Sequence, residues 1–512
     1  MAILRLMQLM MVLAALAQAA EPPRFLAAVD CGMCHNRIPE AGGDWSPGKS
    51  VGPYPNWQGS MMAHSSQDPY WKAKVKFEVE QAPARQQEIE DTCTRCHAPM
   101  QQYPLRGAGK KMRVADMNDL GKDGVSCTVC HQILAKGLGT ESSFTGNFQI
   151  GAGNLLFGPH KDPFTMPMLH HTGFEPREAK HILDSALCGS CHTVITQPPG
   201  STPEKPIRFV EQAPFLEWIA SSYPRTGKTC QSCHMPQLQD AEARPAAQYI
   251  AHMPPGRPFP PTRARMPFGV HEFIGGNAII PEMMARDNPQ QADLLRTTAK
   301  RATAQLERAL KLGVSTRQEN DFLFVDVEIT NLTGHKLPAG FPSRRLWIRL
   351  ELTGPQGARL FESGGWDPAS GELRAGETPQ PHYRLIEKSS QVQIFETIAL
   401  DMRGKITHSL LNSASHGKDN RILPLGFDAQ RLPAAGLLTA GIEPVGVEIG
   451  DTFRTGSSRT VYRIPLPALT KGCRIQVEAL YQTIKPTDRP ASFSLPQDLA
   501  RPVVVARIER VL

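Results

Sequence analysis

The feature that most constrains this chain is a five-residue pattern, Cys-x-x-Cys-His, which occurs five times in its first half and takes up ten of the eleven cysteines. Two thiols three positions apart can form thioethers with the two vinyl groups of one porphyrin, and the adjacent histidine can bind the iron. One copy would be weak evidence, whereas five copies predict five covalently bound haem c groups. The motifs are, in chain order, Cys31, Cys34 and His35; Cys93, Cys96 and His97; Cys127, Cys130 and His131; Cys188, Cys191 and His192; Cys230, Cys233 and His234.

Structural zinc is the alternative for paired cysteines, because two Cys-x-x-Cys pairs can supply four ligands to one ion. Five pairs are an odd number for that scheme, and zinc does not require a histidine directly after every pair. The remaining Cys473 lies in an alternating segment, CRIQVEALY, and is predicted to be a buried, inert thiol on one face of a strand.

The N-terminal residues predict export. MAILRLMQLMMVLAALAQAA combines Arg5, a short apolar run and a small-x-small cleavage site, so residues 1–19 are predicted to be a signal peptide. An uncleaved anchor is the alternative, but the run is short for a bilayer span of about 20 residues. We expect a periplasmic or cell-surface protein whose mature chain has no transmembrane span.

The formal net charge of +7 does not indicate a nucleic-acid partner. Each haem brings two propionates, so the basic excess is better explained as counter-charge for haem, and lysine and arginine form no clustered run. No nucleic-acid binding is expected.

Composition and periodicity predict an α+β protein in two halves. Residues 20–285 are rich in Pro, Gly and short polar stretches, and are predicted to be a mostly helical, loop-rich pentahaem domain that packs around its haems and does not fold without them. An apolar stripe predicts a helix over 289–312, with Asn288 as its N-cap and Gly313 at its end, inside a linking segment 286–315.

The period then changes from about 3.6 to 2 residues, which is typical of strands. Residues 316–512 are therefore predicted to form an antiparallel β-sandwich. The alternating segments lie at 322–330, 345–353, 391–400, 405–411, 459–464 and 473–481.

Each iron also needs a ligand on its second face or leaves that face open. Seven further histidines of the haem region are candidates for these distal positions: His64, His160, His170, His171, His181, His252 and His271. His64 ranks first, followed by His271 and His160, and the adjacent His170 and His171 are not expected both to bind iron. Met61, Met62 and Met235 keep a His/Met site open.

Four histidines belong to the predicted β-domain: His335, His382, His408 and His416. His335 lies in a turn dense in Gly and Pro, NLTGHKLPAGFPSRR. Its simplest role is to order that turn by hydrogen bonding. The alternative is that this loop reaches into the haem domain and supplies a ligand or a substrate contact.

Several segments resemble bacterial multihaem cytochromes of the cytochrome c-552/c-554-like type. They lie at 57–71, 91–99, 123–131, 186–194, 215–236 and 271–277, and the stretches 331–347 and 418–427 resemble an extension of some of these proteins. The resemblance implies an electron carrier or redox partner of the bacterial envelope with closely stacked bis-histidine haems, and it supports His64 as a distal ligand.

Three functions fit this sequence. The first is electron transfer along five haems, with redox partner proteins in the envelope and the β-domain as a docking or positioning module. The second is a haem-dependent reductase or oxidase of a small nitrogen, sulfur or metal species that uses one open-coordinate haem, for which no catalytic residue can be named. The third is a subunit of a respiratory complex.

Overall fold

The structure is a computed structural model. It describes residues 24–36, 51–151, 153–238, 249–252, 263, 265, 268–437, 441–465, 472–489 and 496–512. The predicted signal peptide lies outside the described residues. No helix in the described ranges is long and apolar enough to span a membrane.

The N-terminal half consists of short helices and loops, as predicted. Its helices in the described ranges are α1 Ala28–Gly32, α2 Pro53–Gln58, α3 Pro69–Gln81, α4 Gln86–His97, α5 Pro99–Gly107, α6 Asp119–Lys122, α7 Cys127–Cys130, α8 Met166–Thr172, α9 Ser185–His192, α10 Pro214–Ala220 and α11 Cys230–His234. Three two-stranded sheets join them: β1 Leu155–Gly158 with β2 Glu175–Glu178, β3 Val194–Thr196 with β4 Phe209–Gln212, and β5 Gln237–Leu238 with β6 Phe268–Gly269.

Local sequence explains where these helices begin. The Asp68 side chain caps α3 by accepting hydrogen bonds from the backbone amides of Tyr70 and Trp71, and Pro69 occupies the first turn. Asp184 caps α9 in the same way through Ala186 N. This cap fixes the start of α9, the helix that carries the fourth motif.

The helix between the halves is shorter than predicted. The structure has α12 at Ile279–Asp287 and α13 at Ala292–Ala309, with Gln291 as the N-cap of α13, so the predicted cap and both predicted ends are wrong. Asn288 instead closes α12. From Leu310 the backbone pairs as a strand, because alternating side chains now face the sheet core, and Gly313 lies inside that strand opposite Glu328.

The C-terminal half is a two-sheet sandwich. Its strands in the described ranges are β7 Leu310–Glu319, β8 Phe322–Asn331, β9 Arg345–Thr353, β10 Arg359–Ser363, β11 Leu385–Ile386, β12 Ile394–Leu400, β13 Ser415–Asp419, β14 Phe453–Arg454, β15 Ser457–Pro465, β16 Arg474–Gln482 and β17 Val503–Val511, and a short α-helix, α14, spans Arg431–Ala434. One sheet has the order β13-β12-β9-β16-β17, with β10 on β9, and the other has the order β11-β15-β8-β7, with β14 on β15. Pairing is antiparallel except between β11 and β15.

One predicted strand is absent. Residues 405–411 are irregular apart from a single bridge at Ile406 and a turn at 410–411, because Ser409 and Leu410 bind the Glu78 carboxylate of α3 instead of a neighbouring strand. The sandwich core contains residues of both sheets, for example Val327 of β8 and Leu350 of β9, which are fully buried. Cys473 is also buried in this core, as predicted.

The two halves share a buried boundary. One apolar cluster joins Phe215 of α10 to Leu423, Leu432 and Phe453 of the C-terminal half. The proposed limits of the domains therefore stay a prediction, since packing across this boundary is continuous.

Candidate haem-attachment sites

Each of the five motifs lies on or directly after a short helix. The first begins in α1, the second ends α4, the third begins α7, the fourth ends α9 and the fifth forms α11. Residues three apart on a helical turn share one face, so both thiols of a motif project to the same side. The next residue closes the turn: in the third motif His131 N donates to Cys127 O at 3.1 Å, and in the first His35 N donates to Cys31 O at 2.9 Å.

Four attachment histidines are oriented by backbone carbonyls. The ring Nδ1 of His35 contacts Ile250 O at 2.6 Å, that of His97 contacts Ser65 O at 2.8 Å, that of His131 contacts Phe157 O at 2.5 Å, and that of His234 contacts Ile274 O. A carbonyl partner keeps the proton on Nδ1, fixes the ring and leaves Nε2 to bind a metal.

Burial keeps these rings neutral. It lowers the pKa of His97 to about 4, and burial together with His234, Arg344 and His97 lowers the pKa of His192 to about 4. A neutral imidazole is the form that ligates iron. The second attachment histidine is also packed from one side, since the Trp71 ring stacks on His97 with centroids 4.7 Å apart.

The motifs lie close to one another in space. The neighbouring Cys127 raises the pKa of the Cys31 thiol, Cys191 raises that of Cys96, and Cys230 raises that of Cys188. Cys230 N also donates to Ser185 Oγ of α9 at 3.0 Å, and Gly146 bridges the second and fourth motifs, since its amide donates to Ser190 O at 2.9 Å and a Cβ on it would lie 3.1 Å from Cys96 Sγ. The first motif therefore adjoins the third, and the fourth adjoins both the second and the fifth.

The third and fourth motifs are also neighbours. Burial raises the pKa of the Cys130 thiol to about 12, and Cys191 adds to this shift. Both cysteines pack at the edge of one apolar cluster that includes Val129 and Phe148. All five motifs are thereby connected in one series that branches at the fourth.

Two attachment histidines face a second histidine. The rings of His131 and His271 have centroids 6.3 Å apart and planes inclined by 18°. The rings of His234 and His335 have centroids 6.3 Å apart and planes inclined by 20°. In the part of the chain that the structure describes, the other attachment histidines have no such ring partner.

The residues present fit haem c. Two imidazoles that bind one metal from opposite sides, with metal–nitrogen bonds of about 2.0–2.1 Å, hold their ring centres about 6 Å apart. Both observed pairs have this separation, and in both the second ring uses Nδ1 for a carbonyl: His271 contacts Gly269 O and His335 contacts Lys336 O, each at 3.0 Å. The site therefore offers paired thiols for attachment of the porphyrin and imidazoles whose Nε2 atoms can bind the iron.

The remaining predicted distal candidates are placed differently. His64 is buried and its Nε2 contacts Gln58 O at 3.1 Å, whereas His181 Nε2 contacts Ile133 O at 2.8 Å. His252 is fully buried beside the first motif, where its backbone amide donates to Cys34 O. His160 is partly buried near Arg265.

His170 and His171 are exposed on α8, and His171 Nε2 lies 3.1 Å from the sulfur of Met33 in the first motif. The methionines considered for a His/Met site pack as apolar side chains: Met61 borders the cluster around Tyr70, and Met62 borders the cluster around Val129. The backbone amide of Met235 continues α11 by bonding to Gln231 O.

Three histidines of the β-rich half have packing or hydrogen-bonding roles. His382 Nδ1 accepts hydrogen bonds from Gln393 and Asn420, and His408 pairs with Asp488. His416 packs across the boundary on Phe209 of β4, with centroids 4.7 Å apart. His335 is the exception. Its sequence context, a Gly- and Pro-dense turn, did not rank it among the distal candidates of the haem region.

Comparison with known proteins agrees with this geometry. Residues 30–132, which include the first three motifs, match the family model described as cytochrome c554 and c-prime. The fold is similar to the crystal structure of a penta-heme cytochrome c552 from Thermochromatium tepidum, with a TM-score of 0.56 and 17% sequence identity over 96% of this chain and 100% of that chain. No curated protein matches the chain in sequence.

The family match over residues 30–132 and the similar fold agree with the predicted class, a multihaem c-type cytochrome, and the C-terminal half is β-rich. The family match over these residues also favours haem c as the cofactor and haem-based electron transfer.

Proposed function

We propose that the chain carries five haem c groups and transfers electrons along them in the bacterial envelope, after export directed by residues 1–19. The observation that carries the proposal is the proximity of the motifs, from the first through the third to the fourth, and from the fourth to the second and the fifth. Haem iron, when bound, cycles between the ferric and ferrous states and so accepts and releases single electrons.

The chain's own residues position and insulate these centres. The thioether cysteines fix each group to a helical turn, and the carbonyl-bonded histidines hold their rings so that Nε2 points away from the backbone. Burial of these rings excludes water and keeps each imidazole in its neutral, ligating form. The arrangement favours electron transfer with little rearrangement of the ligands.

For the third motif we propose His271 as the second axial ligand. The His271 ring faces His131 at the separation that an intervening metal requires. Burial is the larger cause, and the nearby His131 the second, of the lowering of the His271 pKa to about 4. Bis-histidine ligation gives a lower reduction potential than His/Met ligation. A closed coordination sphere favours a carrier over an enzyme that binds substrate at iron.

Rapid-mixing reduction tests the relay. Less than one equivalent of a one-electron reductant per chain should equilibrate among all five haems at a single rate. Cys188→Ala/Cys191→Ala, which removes the branching haem, should slow this redistribution, whereas Cys230→Ala/Cys233→Ala, which removes the end of one branch, should leave the other four haems in equilibrium. Equal rates in the two double variants would contradict the proposed order.

Cyanide or nitrite added to the oxidised protein separates this function from a small-molecule reductase or oxidase. A carrier should keep its low-spin spectrum. One stoichiometric high-spin haem that binds the added ligand would favour the enzyme. A partner protein, whether soluble or part of a respiratory complex, should be recognised through its ability to reduce or oxidise the holo-protein.

A further inference from the structure

We propose that His335, a residue of the β-rich half, is the second axial ligand of the haem attached at Cys230 and Cys233. The inference rests on the proposed function and extends it, since it gives the β-rich half a part in the coordination of iron. It also assigns an iron ligand from outside the haem-binding half of the chain.

The ring geometry of this pair matches that of the pair within the haem-binding half. His234 and His335 have centroids 6.3 Å apart and planes inclined by 20°, against 6.3 Å and 18° for His131 and His271. Two imidazoles that hold a metal between them require about this separation. His335 Nδ1 contacts Lys336 O, which leaves Nε2 for iron.

The turn that carries His335 is fixed from within the β-rich half. Asn331 Nδ2 donates to His335 O at 2.8 Å and to Ile422 O at 2.9 Å, and Thr333 Oγ1 donates to His335 O at 2.8 Å. The backbone of Leu337 then pairs in both directions with Ile422. The histidine is therefore held at both sides before any metal binds, and a preorganised ligand loses little entropy on coordination.

The same turn is packed against the helix that precedes the fifth motif. Tyr223 OH donates to Leu332 O at 2.6 Å, and Lys336 N donates to Glu217 Oε2 of α10 at 3.0 Å. A Cβ at Gly334 would lie 3.1 Å from the Trp218 ring, so glycine permits this close approach. These contacts join the two halves on either side of His335.

A buried ion cluster fixes Lys336, the residue that follows His335. Lys336 Nζ lies 2.7 Å from Asp419 Oδ2, Arg421 Nε lies 2.8 Å from Asp419 Oδ1, and Arg421 Nη2 lies 2.9 Å from Glu217 Oε1. Two cations and two anions balance, and the side chains are 9% exposed or less. The cluster contains residues of both halves, so it fixes the turn relative to the fifth motif.

The spin state of the oxidised holo-protein tests this assignment. His335→Ala should convert one haem in five to the high-spin ferric form in an electron paramagnetic resonance spectrum, and added imidazole should return it to low spin. His271→Ala should do the same for a different haem, and the double variant should give two high-spin haems. His408→Gln, a matched change in the β-rich half, should give none.

His335→Met covers the case in which the alanine variant does not fold. Methionine is an alternative axial ligand, and it should raise the reduction potential of one haem and leave the other four unchanged. Five low-spin haems in a folded His335→Ala protein, or five unchanged potentials in His335→Met, would overturn the assignment while leaving the electron-transfer function intact. Absence of haem at Cys230 and Cys233 in the wild-type protein would overturn both.

Discussion

Removing one charge from the buried ion cluster should destabilise the protein strongly. Asp419→Asn keeps the shape of the side chain but removes the charge that accepts hydrogen bonds from Lys336 Nζ at 2.7 Å and from Arg421 Nε and Nη2 at 2.8 Å each. Glu217 then faces two buried cations alone. Breaking a buried ion pair in this way costs about 3–5 kcal/mol, because an uncompensated charge stays in a low dielectric.

Urea unfolding of the oxidised holo-protein, followed by far-UV circular dichroism, measures this cost. The matched control is Asp498→Asn. The Asp498 side chain is 39% exposed and its partner Arg286 is 50% exposed, so this ion pair should contribute about 0–1 kcal/mol to the free energy of unfolding. A loss below about 1 kcal/mol for Asp419→Asn, equal to the control, would refute the reasoning. Because Lys336 follows His335, the variant should also increase the fraction of high-spin haem.

The same carboxylate gives a pH dependence with a defined sign. Burial opposes ionisation of Asp419, but Arg421 and Lys336 outweigh it and hold the pKa of the carboxyl below its ordinary value. The folded state therefore binds fewer protons than the unfolded state in acid, and this stabilisation is present above about pH 4 and is lost as the pH falls further. Asp419→Asn should flatten the acid limb of the stability curve, and an unchanged limb would contradict the assignment.

Three further predictions follow from single positions. Leu350→Ala should cost about 2–5 kcal/mol in urea unfolding, since the side chain is fully buried between the sheets, whereas Leu360→Ala, half exposed, should cost little. Gly124→Ala should lower the yield of holo-protein measured by haem absorbance, because a Cβ there would lie 2.5 Å from Ala63 O beside the third motif at a positive φ of 66°. Apo-protein made without haem attachment should lose residues 20–285 to limited proteolysis, and a protected fragment of that size would contradict the prediction that haem forms much of its core.

The candidate attachment motifs could be recognised from sequence because each is local. Both thiols and the histidine of a motif lie within five consecutive residues, and the structure folds each as one helical turn. Strands β8, β9 and β16 were predictable for a similar reason, since the alternation of apolar and polar residues along each strand predicts which side chains are buried.

Distal histidines depend on long-range packing. His64 ranked first by sequence, yet the rings that face His131 and His234 belong to His271 and His335, far along the chain. The helix boundaries failed for a related reason: Leu310 fits the apolar stripe of α13, but pairing with Asn331 makes it the first residue of β7. The helix propensity of Leu310 cannot show whether it packs with the apolar stripe of α13 or pairs with Asn331 of β8.

Mass spectrometry of peptides from the mature protein, combined with a pyridine haemochrome count, tests the central claim most directly. Five haem c groups per chain is the predicted result, with each of the peptides that contain Cys31, Cys93, Cys127, Cys188 and Cys230 carrying one haem and the peptide that contains Cys473 carrying none. Any of the five motif peptides recovered with free thiols, or a haemochrome count below five, would contradict the account.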